Sequence, residues 1–335
     1  MSSTILVTGG LGYIGSHTVV ELVERGYKVV VLDNLSNSSE SVLDGIDKIA
    51  GKKPKLYVGD IRDREVLQTI FKAHDIQSVM HFAGFKAVRE GEEKPLLYYD
   101  NNVTGSITLF EEMTKAGVKR VIFSSSATVY GEASSVKYQE GMPLNPINVY
   151  GKTKYMVEEV LREMKRAYPE MGVGILRYFN PVGAHPSGFI GENPSGTPNN
   201  LMPYIADVAM GTREKLFIFG NDYSTPDGTC LRDYIHVKDL ALGHIAALNK
   251  LETNADMIVV NLGTGKPYSV LDMVHAFEKT SGKKIIYEVV ARRKGDLAEY
   301  YADPLSAEKL LRWKTIFDIK TMCEDTWRWQ KNKTI

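Results

Sequence analysis

The chain has 335 residues with 41 basic and 41 acidic side chains, so its formal net charge at pH 7 is zero. That balance argues against nucleic acid and against an anionic membrane as the main partner. The length is sufficient for one large α/β unit or two coupled domains, with a sizeable core and a deep ligand cleft.

The first ten residues, MSSTILVTGG, run directly into a predicted strand and lack the basic and long apolar regions of a signal peptide. No stretch of about 18 uninterrupted apolar residues is present, so we expect no membrane span. The two cysteines, Cys230 and Cys323, are far apart and outside any C-x-x-C, so neither a zinc site nor a disulfide framework is indicated. We therefore expect a cytoplasmic protein without a bound metal.

Short β-branched runs alternate with helical patterns in the first half of the chain. The predicted strands begin at Thr4, Lys28, Lys55, Ser78, Arg120 and Val173. The predicted helices between them include Gly15 to Arg25, Arg62 to His74 and Tyr98 to Lys115. Near-continuous apolar strands that alternate with helices predict an α/β fold with a doubly wound parallel sheet, the Rossmann arrangement.

The amino-acid composition of the sequence changes after Asn180. Residues 181–200 are rich in Pro, Gly, Asn and Ser, which indicates loops, and two further apolar strands are predicted from Ile258 and from Lys284. We expect a Rossmann domain over residues 1–180, with a strand returned to it from about 257–262. Residues 181–335 are then a smaller, mixed α/β domain.

Glycines at positions 9, 12 and 15 follow the first predicted strand and open a helix, in a G-x-x-G-x-x-G pattern. Such a turn lets the backbone approach a pyrophosphate, and the helix N-terminus offers free N–H groups to the anion. Asp33 ends the second strand, where a carboxylate can accept from ribose hydroxyls and would repel a 2′-phosphate, so NAD is favoured over NADP. The alternative for the glycine pattern is a turn that binds no ligand. The alternative for Asp33 is a cap on the turn that follows the strand.

Other strand ends extend this predicted NAD site. Asp60 and Ile61 follow the third strand and could flank the adenine, while Phe82, Ala83 and Gly84 end the fourth strand with small residues that let a cofactor approach. In open α/β sheets, ligands bind at the carboxyl ends of the strands.

Ser124 to Ser126 end the fifth strand, and Tyr150 and Lys154 follow one turn apart on a predicted helix. Tyrosine normally titrates near pH ~10, but a positive charge at about 4 Å is worth roughly 4 kcal/mol, or about three pKa units. Lys154 and an oxidised nicotinamide would together make the phenolate accessible as a base, and Ser126 would orient the reacting hydroxyl. The alternative for the three serines is a simple turn at the end of the strand. The alternative for Tyr150 and Lys154 is an exposed pair on the helix surface.

Four motifs resemble the extended short-chain dehydrogenase/reductase superfamily: GGLGYIG at 9–15, FSSSATVYG at 123–131, YGKTK at 150–154 and LRYFNPVGA at 176–184. Further stretches extend the resemblance over nearly the whole chain, and they are most similar to the members that invert C4 of a UDP-linked hexose. The resemblance implies hydride exchange with tightly bound NAD and no net redox change. It also implies UDP-glucose and UDP-galactose as substrates, and a homodimer.

The resemblance also assigns individual residues. The implied cofactor contacts, beyond those named above, are Tyr13, Ile14, Asn34, Lys86, Asn101, Ser124 and Tyr178. The implied substrate contacts, besides Ser126, Tyr150 and Lys86, are Asn180, Asn200, Leu201, Leu216, Phe219, Arg232, Tyr234, Arg293 and Asp296. Tyr300 resembles the residue that walls the sugar 2-substituent, so an N-acetyl group should find little room.

Two competing functions fit the sequence less well. A nucleotide-sugar 4,6-dehydratase would need an acidic pair after Ser126, where this chain has Ala127 and Thr128. An NAD-sensing scaffold protein would be expected to have lost one of Ser126, Tyr150 and Lys154, and all three are present.

Overall fold

Fourteen β-strands and twelve α-helices form the described part of the chain. The structure is a computed structural model, and it describes residues 3–133, 135–194, 198, 200–293 and 295–333. The strands are β1 (Thr4–Thr8), β2 (Lys28–Asp33), β3 (Lys55–Val58), β4 (Ile76–His81), β5 (Arg120–Ser126), β6 (Lys137–Tyr138), β7 (Gly172–Tyr178), β8 (Asn180–Val182), β9 (Leu216–Phe219), β10 (Leu231–His236), β11 (Met257–Leu262), β12 (Pro267–Ser269), β13 (Tyr287–Val290) and β14 (Glu299–Ala302).

The helices are α1 (Tyr13–Glu24), α2 (Val42–Ala50), α3 (Arg64–Ala73), α4 (Val88–Glu93), α5 (Pro95–Tyr98), α6 (Gly105–Lys115), α7 (Val149–Ala167), α8 (Leu201–Met210), α9 (Val237–Thr253), α10 (Val270–Ser281), α11 (Leu305–Leu311) and α12 (Ile319–Lys333). A π-helical turn, Tyr99–Thr104, joins α5 to α6. Within the described ranges, no helix has both the length and the apolar character needed to cross a membrane.

Seven parallel strands form the main sheet, in the order β11-β7-β5-β4-β1-β2-β3. One apolar core packs α1 and α9 against one face, and a second packs α3, α6 and α7 against the other. The predicted doubly wound α/β fold is therefore confirmed. Successive strands are added on opposite sides of β1, so the order reverses between β1 and β4, which opens a crevice at the carboxyl ends of these two strands.

Most predicted strands of this sheet begin within two residues of their expected positions, because their apolar runs are buried on both faces. The strand predicted from Lys284 begins later, at Tyr287. Ile285 is buried instead in the apolar core around α8, α10 and α12, and its N–H donates to Glu278 near the end of α10. Only four residues are then left to pair with β9.

Strand β10 organises the second half of the chain. It pairs with β12 and β14, and its far end pairs with β8, so that Arg232 and Tyr234 are brought beside Tyr300 and Asn180. Helices α8, α10 and α12 surround the apolar core of this region. These contacts bring residues distant in sequence to one side of the crevice.

Four of the five buried histidines in the described part of the chain have a lowered pKa. Burial lowers the pKa of His17 and His81 to about 3 and that of His185 and His244 to about 4. In the unfolded chain these rings titrate near pH ~6.5. Below that pH the unfolded chain binds more protons than the folded one, so acid favours unfolding.

We expect the free energy of unfolding to fall steeply between about pH 6 and about pH 4, by up to roughly 5 kcal/mol per pH unit for four histidines. Urea titrations at a series of pH values measure this slope. Replacing His17 by glutamine should reduce this slope by the contribution of about one titrating proton, a quarter of the slope expected from four histidines. A free energy of unfolding that stays constant over this range would contradict the expectation.

Candidate active site

The glycine-rich turn between β1 and α1 is shaped by contacts that exclude a side chain. Gly9 has φ +67°, and a Cβ there would lie 2.7 Å from the Ala83 nitrogen. A Cβ on Gly15 would lie 2.2 Å from the Gly9 carbonyl oxygen. Among the described side chains none caps the N-terminus of α1, where Gly12 is the N-cap residue and Tyr13 and Ile14 form the first turn. This cradle fits the pyrophosphate of a dinucleotide.

Asp33 lies beside this turn and is buried. Its carboxylate accepts from the N–H of Leu11 at 2.9 Å, from the N–H of Leu35 at 3.0 Å and from the Ser38 hydroxyl at 2.7 Å. Asp33 therefore caps the turn after β2, as one alternative supposed. The same carboxylate sits at the end of β2, next to the glycine turn, where a ribose is expected.

Asp60 and Asn34 form a second polar group at the same edge of the sheet. Asn34 donates to Asp60 at 2.9 Å, and Arg62 donates to both carboxylate oxygens. The hydrogen bond from the Arg62 guanidinium is the main reason that the pKa of Asp60 is lowered to about 2. Asp60 is thus a permanent carboxylate held by Arg62, while the side chain of Ile61 is buried beneath it.

The loop after β4 brings Phe82, Ala83 and Gly84 to the crevice. The N–H groups of Phe82 and Ala83 donate to the Thr8 carbonyl at 3.0 and 3.1 Å, which holds this loop against β1. A Cβ on Gly84 would lie 3.7 Å from Lys154 Nζ, so the loop passes directly beside the predicted lysine.

Asn102, which the sequence reading did not select, holds this loop in place. Its buried side chain accepts from the Phe85 N–H at 2.8 Å and donates to the Phe85 carbonyl at 2.9 Å and to Thr153 on α7 at 3.1 Å. Asn101 donates to Asn102 at 2.9 Å. Both lie in the π-helical turn, a feature often found at functional sites. Only the adjacent pair of asparagines in a helical stretch marks this position in the sequence.

Helix α7 carries the predicted acid/base pair. Asn148 caps the helix by accepting from the Gly151 N–H at 2.8 Å, so Tyr150 stands in the first turn and Lys154 one turn later. Lys154 is buried and donates to the Ser124 carbonyl at 2.7 Å, and its Nζ lies 5.9 Å from the centre of the Tyr150 ring. The surface-pair alternative is therefore wrong for Lys154.

The pKa values of this pair differ from the expectation. Burial raises the pKa of Tyr150 to about 12, although a hydrogen bond with Ser126 lowers it in part. Burial also lowers the pKa of Lys154 to about 7, which weakens the charge that the lysine offers to the phenol near neutrality. The lowered tyrosine pKa was expected from Lys154 together with an oxidised nicotinamide. In the protein's own groups burial outweighs Lys154, and the joint effect stays a prediction. The phenol needs a further positive charge beside it to act as a base.

Predicted substrate contacts gather on the other side of the crevice. The buried guanidinium of Arg232 lies 4.6 Å from the centre of the Tyr300 ring and 3.8 Å from Asp296. Arg293 donates to the other Asp296 oxygen at 2.9 Å and lies 4.7 Å from the centre of the Phe219 ring. Two cations, a carboxylate and two aromatic rings therefore meet at one place.

The remaining predicted contacts differ in their surroundings. Asn180 Oδ1 is buried and has no hydrogen-bond partner among the described residues, which leaves it free to accept from a ligand. Tyr234 is buried opposite Asn180, and Leu216 packs into the apolar core. Asn199 and Lys294, the chain neighbours of the predicted contacts Asn200 and Arg293, lie outside the described residues.

Glu192 is a second residue that the sequence reading missed. One of its carboxylate oxygens accepts from Lys86 at 3.1 Å and from the side chain of Asn200, the N-cap residue before Leu201. It lies in the loop-rich segment 181–200, where no period or motif marks single positions. Glu192 connects a residue on the cofactor side to one on the substrate side.

The dinucleotide cradle, the half-buried Tyr150 with the buried Lys154, and Ser126 define the class of protein. It is a Rossmann-fold enzyme of the short-chain dehydrogenase/reductase type. A separate cationic and aromatic subsite faces this acid/base group and suits an anionic, base-bearing substrate.

Comparisons with known proteins identify the family. The family model described as the NAD dependent epimerase/dehydratase family matches residues 5–263, and the chain belongs to this family. The chain is 54% identical over 328 residues to the UDP-glucose 4-epimerase of Bacillus subtilis, with 98% of this chain and 97% of that protein covered. It is 55% identical over 329 residues to the UDP-glucose 4-epimerase of Haemophilus influenzae, with the same coverage.

Solved structures agree with this assignment. The UDP-glucose 4-epimerase of Stenotrophomonas maltophila, with bound NAD and formylated UDP-arabinopyranose, superposes with a TM-score of 0.97 at 46% identity, covering 99% of both chains. The Bifidobacterium longum enzyme in complex with NAD+ and UDP gives a TM-score of 0.96 at 46% identity and the same coverage. The resemblance inferred from the sequence motifs is confirmed.

Proposed function

We propose that this enzyme interconverts UDP-galactose and UDP-glucose with a tightly bound NAD and no net redox change. The observation that carries the proposal is that one fold holds the half-buried Tyr150 with the buried Lys154, the dinucleotide cradle and the Arg232–Arg293–Asp296 subsite. Relatives that match nearly the whole chain are named as enzymes with this activity. The turn at Gly9, Gly12 and Gly15 would hold the pyrophosphate of NAD, and the bound cofactor would supply reversible hydride transfer at C4 of the sugar.

The protein's own residues manage the proton. Tyr150 takes the proton of the sugar 4-hydroxyl and gives it back after the sugar has turned, while Ser126 orients that hydroxyl. Lys154, held by the Ser124 carbonyl, places its charge under the phenol. Because burial raises the pKa of Tyr150 to about 12 despite the opposing Ser126 hydrogen bond, the positive charge of an oxidised nicotinamide would favour the phenolate and so link the proton step to the oxidised cofactor.

The substrate is held through its nucleotide. Arg232 and Arg293 supply guanidinium groups for the diphosphate, Asp296 can accept from ribose hydroxyls, and Phe219 offers a face near the base. Firm binding of UDP leaves the hexose free to turn between the two hydride transfers, so the energy of a non-reacting group serves the reaction.

Incubation of the purified protein with UDP-galactose and no added nucleotide, followed by NMR of the anomeric protons, tests the proposal. We expect UDP-glucose to appear until the two sugars reach equilibrium. If UDP-galactose stays unchanged even after NAD is supplied, the proposed function is wrong.

Tyr300 should restrict the sugar 2-substituent. Its ring stacks on Tyr138 at 5.6 Å between centroids and packs near Phe179 and under the Arg232 guanidinium, so it has little freedom to swing aside. Tyr300→Ser should raise kcat/KM for UDP-N-acetylgalactosamine by roughly tenfold or more. Tyr300→Phe is the matched control and should keep the original selectivity. Efficient turnover of that substrate by the unchanged protein would overturn this role.

We also propose a homodimer built on the helix from Pro95 to Lys115 and on α7. Leu96 is 83% exposed, and Ile107 lies on the same face, at 37% exposure, three turns further on. Met156, on the neighbouring helix α7, is 43% exposed. An apolar surface shared by two adjacent helices is suited to pairing with its own copy.

Light scattering should give the unchanged protein twice the mass of one chain. The double variant Leu96→Glu/Ile107→Glu should give single chains, because two charges on each surface would face each other. A control variant with Leu310→Glu, an exposed leucine on α11, should stay dimeric. A monomeric unchanged protein would exclude the dimer.

Two broader assignments belong to the same proposal. Residues 1–180, with the strand of about 257–262, are assigned to the binding of NAD, and residues 181–335 are assigned to the binding of the UDP-sugar.

A cytoplasmic location is supported by two buried free thiols, Cys230 and Cys323, and cell fractionation with an antibody against the protein would test it.

A further inference from the structure

His244 on α9 has no role in the site described above, yet it lies beneath its cofactor end. The imidazole is fully buried. Its Nδ1 lies 2.9 Å from the Leu240 carbonyl, its Nε2 is hydrogen-bonded to the Tyr178 hydroxyl, and its ring centre is 4.7 Å from that of Phe82. Tyr178 and Phe82 are both predicted cofactor contacts.

The hydrogen bonds determine the tautomer of this ring. The Leu240 carbonyl can only accept, so Nδ1 must carry the hydrogen. Burial lowers the pKa of His244 to about 4, so the ring is neutral under ordinary conditions and Nε2 carries no hydrogen. Nε2 therefore accepts from Tyr178, and the direction of the Tyr178 O–H bond is fixed.

The fixed tyrosine lies beside the strand that carries the serines of the acid/base group. In the pairing of β5 with β7, Tyr178 is the register partner of Ser126, and the Ser124 carbonyl of β5 accepts from Lys154 at 2.7 Å. Phe82, Ser126 and Tyr178 follow or end three neighbouring strands of the main sheet, β4, β5 and β7. Two of them, Phe82 and Tyr178, contact the imidazole directly.

We propose that His244 is a positioning residue for the nicotinamide end of the site, because its unprotonated Nε2 fixes Tyr178 beside Ser126 and its ring packs against Phe82. This inference rests on the proposed function for its kinetic readout. The His244 imidazole lies behind the sheet as a hydrogen-bond acceptor and does not itself touch the reacting atoms.

Two substitutions separate this role from a packing role. In His244→Gln the amide oxygen can replace Nε2 as the acceptor for Tyr178. In His244→Asn the shorter amide can still donate to the Leu240 carbonyl but cannot reach Tyr178. Both variants lose the ring packed against Phe82, so a packing role would affect them alike.

We expect His244→Asn to lose bound NAD during gel filtration and to show a kcat roughly tenfold or more below that of the unchanged protein. Its KM for UDP-galactose should stay within about twofold, since the UDP contacts are on the other side of the crevice. His244→Gln should keep its NAD and stay within about threefold in kcat. Tyr178→Phe should reproduce His244→Asn, and combining the two should add little.

Equal NAD retention and equal kcat in the Gln and Asn variants, measured on folded protein, would overturn the proposal. So would a Tyr178→Phe variant that behaves like the unchanged protein. NAD retention is measured without substrate, so it tests the positioning role even if the unchanged protein fails to convert UDP-galactose. That failure would instead reject the proposed function.

Discussion

Replacing Tyr150 by phenylalanine should lower kcat for UDP-galactose by roughly 10²–10⁴-fold, the range expected when a positioned acid/base group is removed. The ring and its packing remain, and only the hydroxyl proposed to exchange a proton with the sugar is lost. KM should change little, because the proposed UDP contacts of Arg232 and Arg293 are untouched. Steady-state assays of both directions, with protein folding checked by circular dichroism, measure the effect.

Tyr155→Phe is the matched control for this prediction. Tyr155 lies on the same helix, packs against the small cluster around Tyr130 and Tyr138, and takes no part in the site. Its variant should retain most of the activity. A Tyr150→Phe variant within about twofold of the unchanged protein would remove Tyr150 from the proton step.

Arg177→Met should lower the free energy of unfolding by about 3–5 kcal/mol, because it leaves a buried carboxylate without its partner. Arg177 and Glu158 are both buried and form two parallel hydrogen bonds of 2.9 and 2.7 Å. Ser125 donates to the same carboxylate at 2.6 Å, so the ion pair joins α7 to β5 and β7. Arg162 also contacts Glu158, at 3.1 Å, which favours the lower end of the range.

Urea unfolding monitored by fluorescence measures this loss. Adding Glu158→Gln to Arg177→Met should restore part of it, since the unpaired charge is then removed. Arg166→Met serves as the control, because Arg166 pairs with Glu163 at the exposed surface of the same helix and its loss should cost less than about 1 kcal/mol. Equal losses in Arg166→Met and Arg177→Met would contradict the importance of the buried pair.

The sequence was sufficient to predict the features that depend on local pattern. Glycines 9, 12 and 15 and the apolar strands predict the cradle, since the turn excludes side chains and both faces of the sheet are buried. The i, i+4 spacing of Tyr150 and Lys154 places both on one side of α7. The family motifs led to Arg232, Arg293, Asp296 and Tyr300, and the structure brings these four together.

Features that depend on tertiary contact could not be read in the same way. Burial raises the pKa of Tyr150, and the spacing of Tyr150 and Lys154 does not report burial, so this opposing effect could not be included in the expectation. Asn102, Glu192 and His244 have hydrogen-bond partners that are distant in the chain or that lie in irregular loops. A π-helical turn and a loop rich in glycine and proline have no period from which a facing side chain could be inferred.

The central claim is that one hydride leaves C4 and returns to C4 within a single bound complex. UDP-galactose carrying deuterium at C4, incubated with the purified protein in ordinary water without added NAD, tests this claim directly. Mass spectrometry and NMR of the product should show UDP-glucose that retains the deuterium at C4. UDP-glucose with hydrogen from solvent at C4 would contradict the account, because the carbon would then have exchanged a proton instead of a hydride.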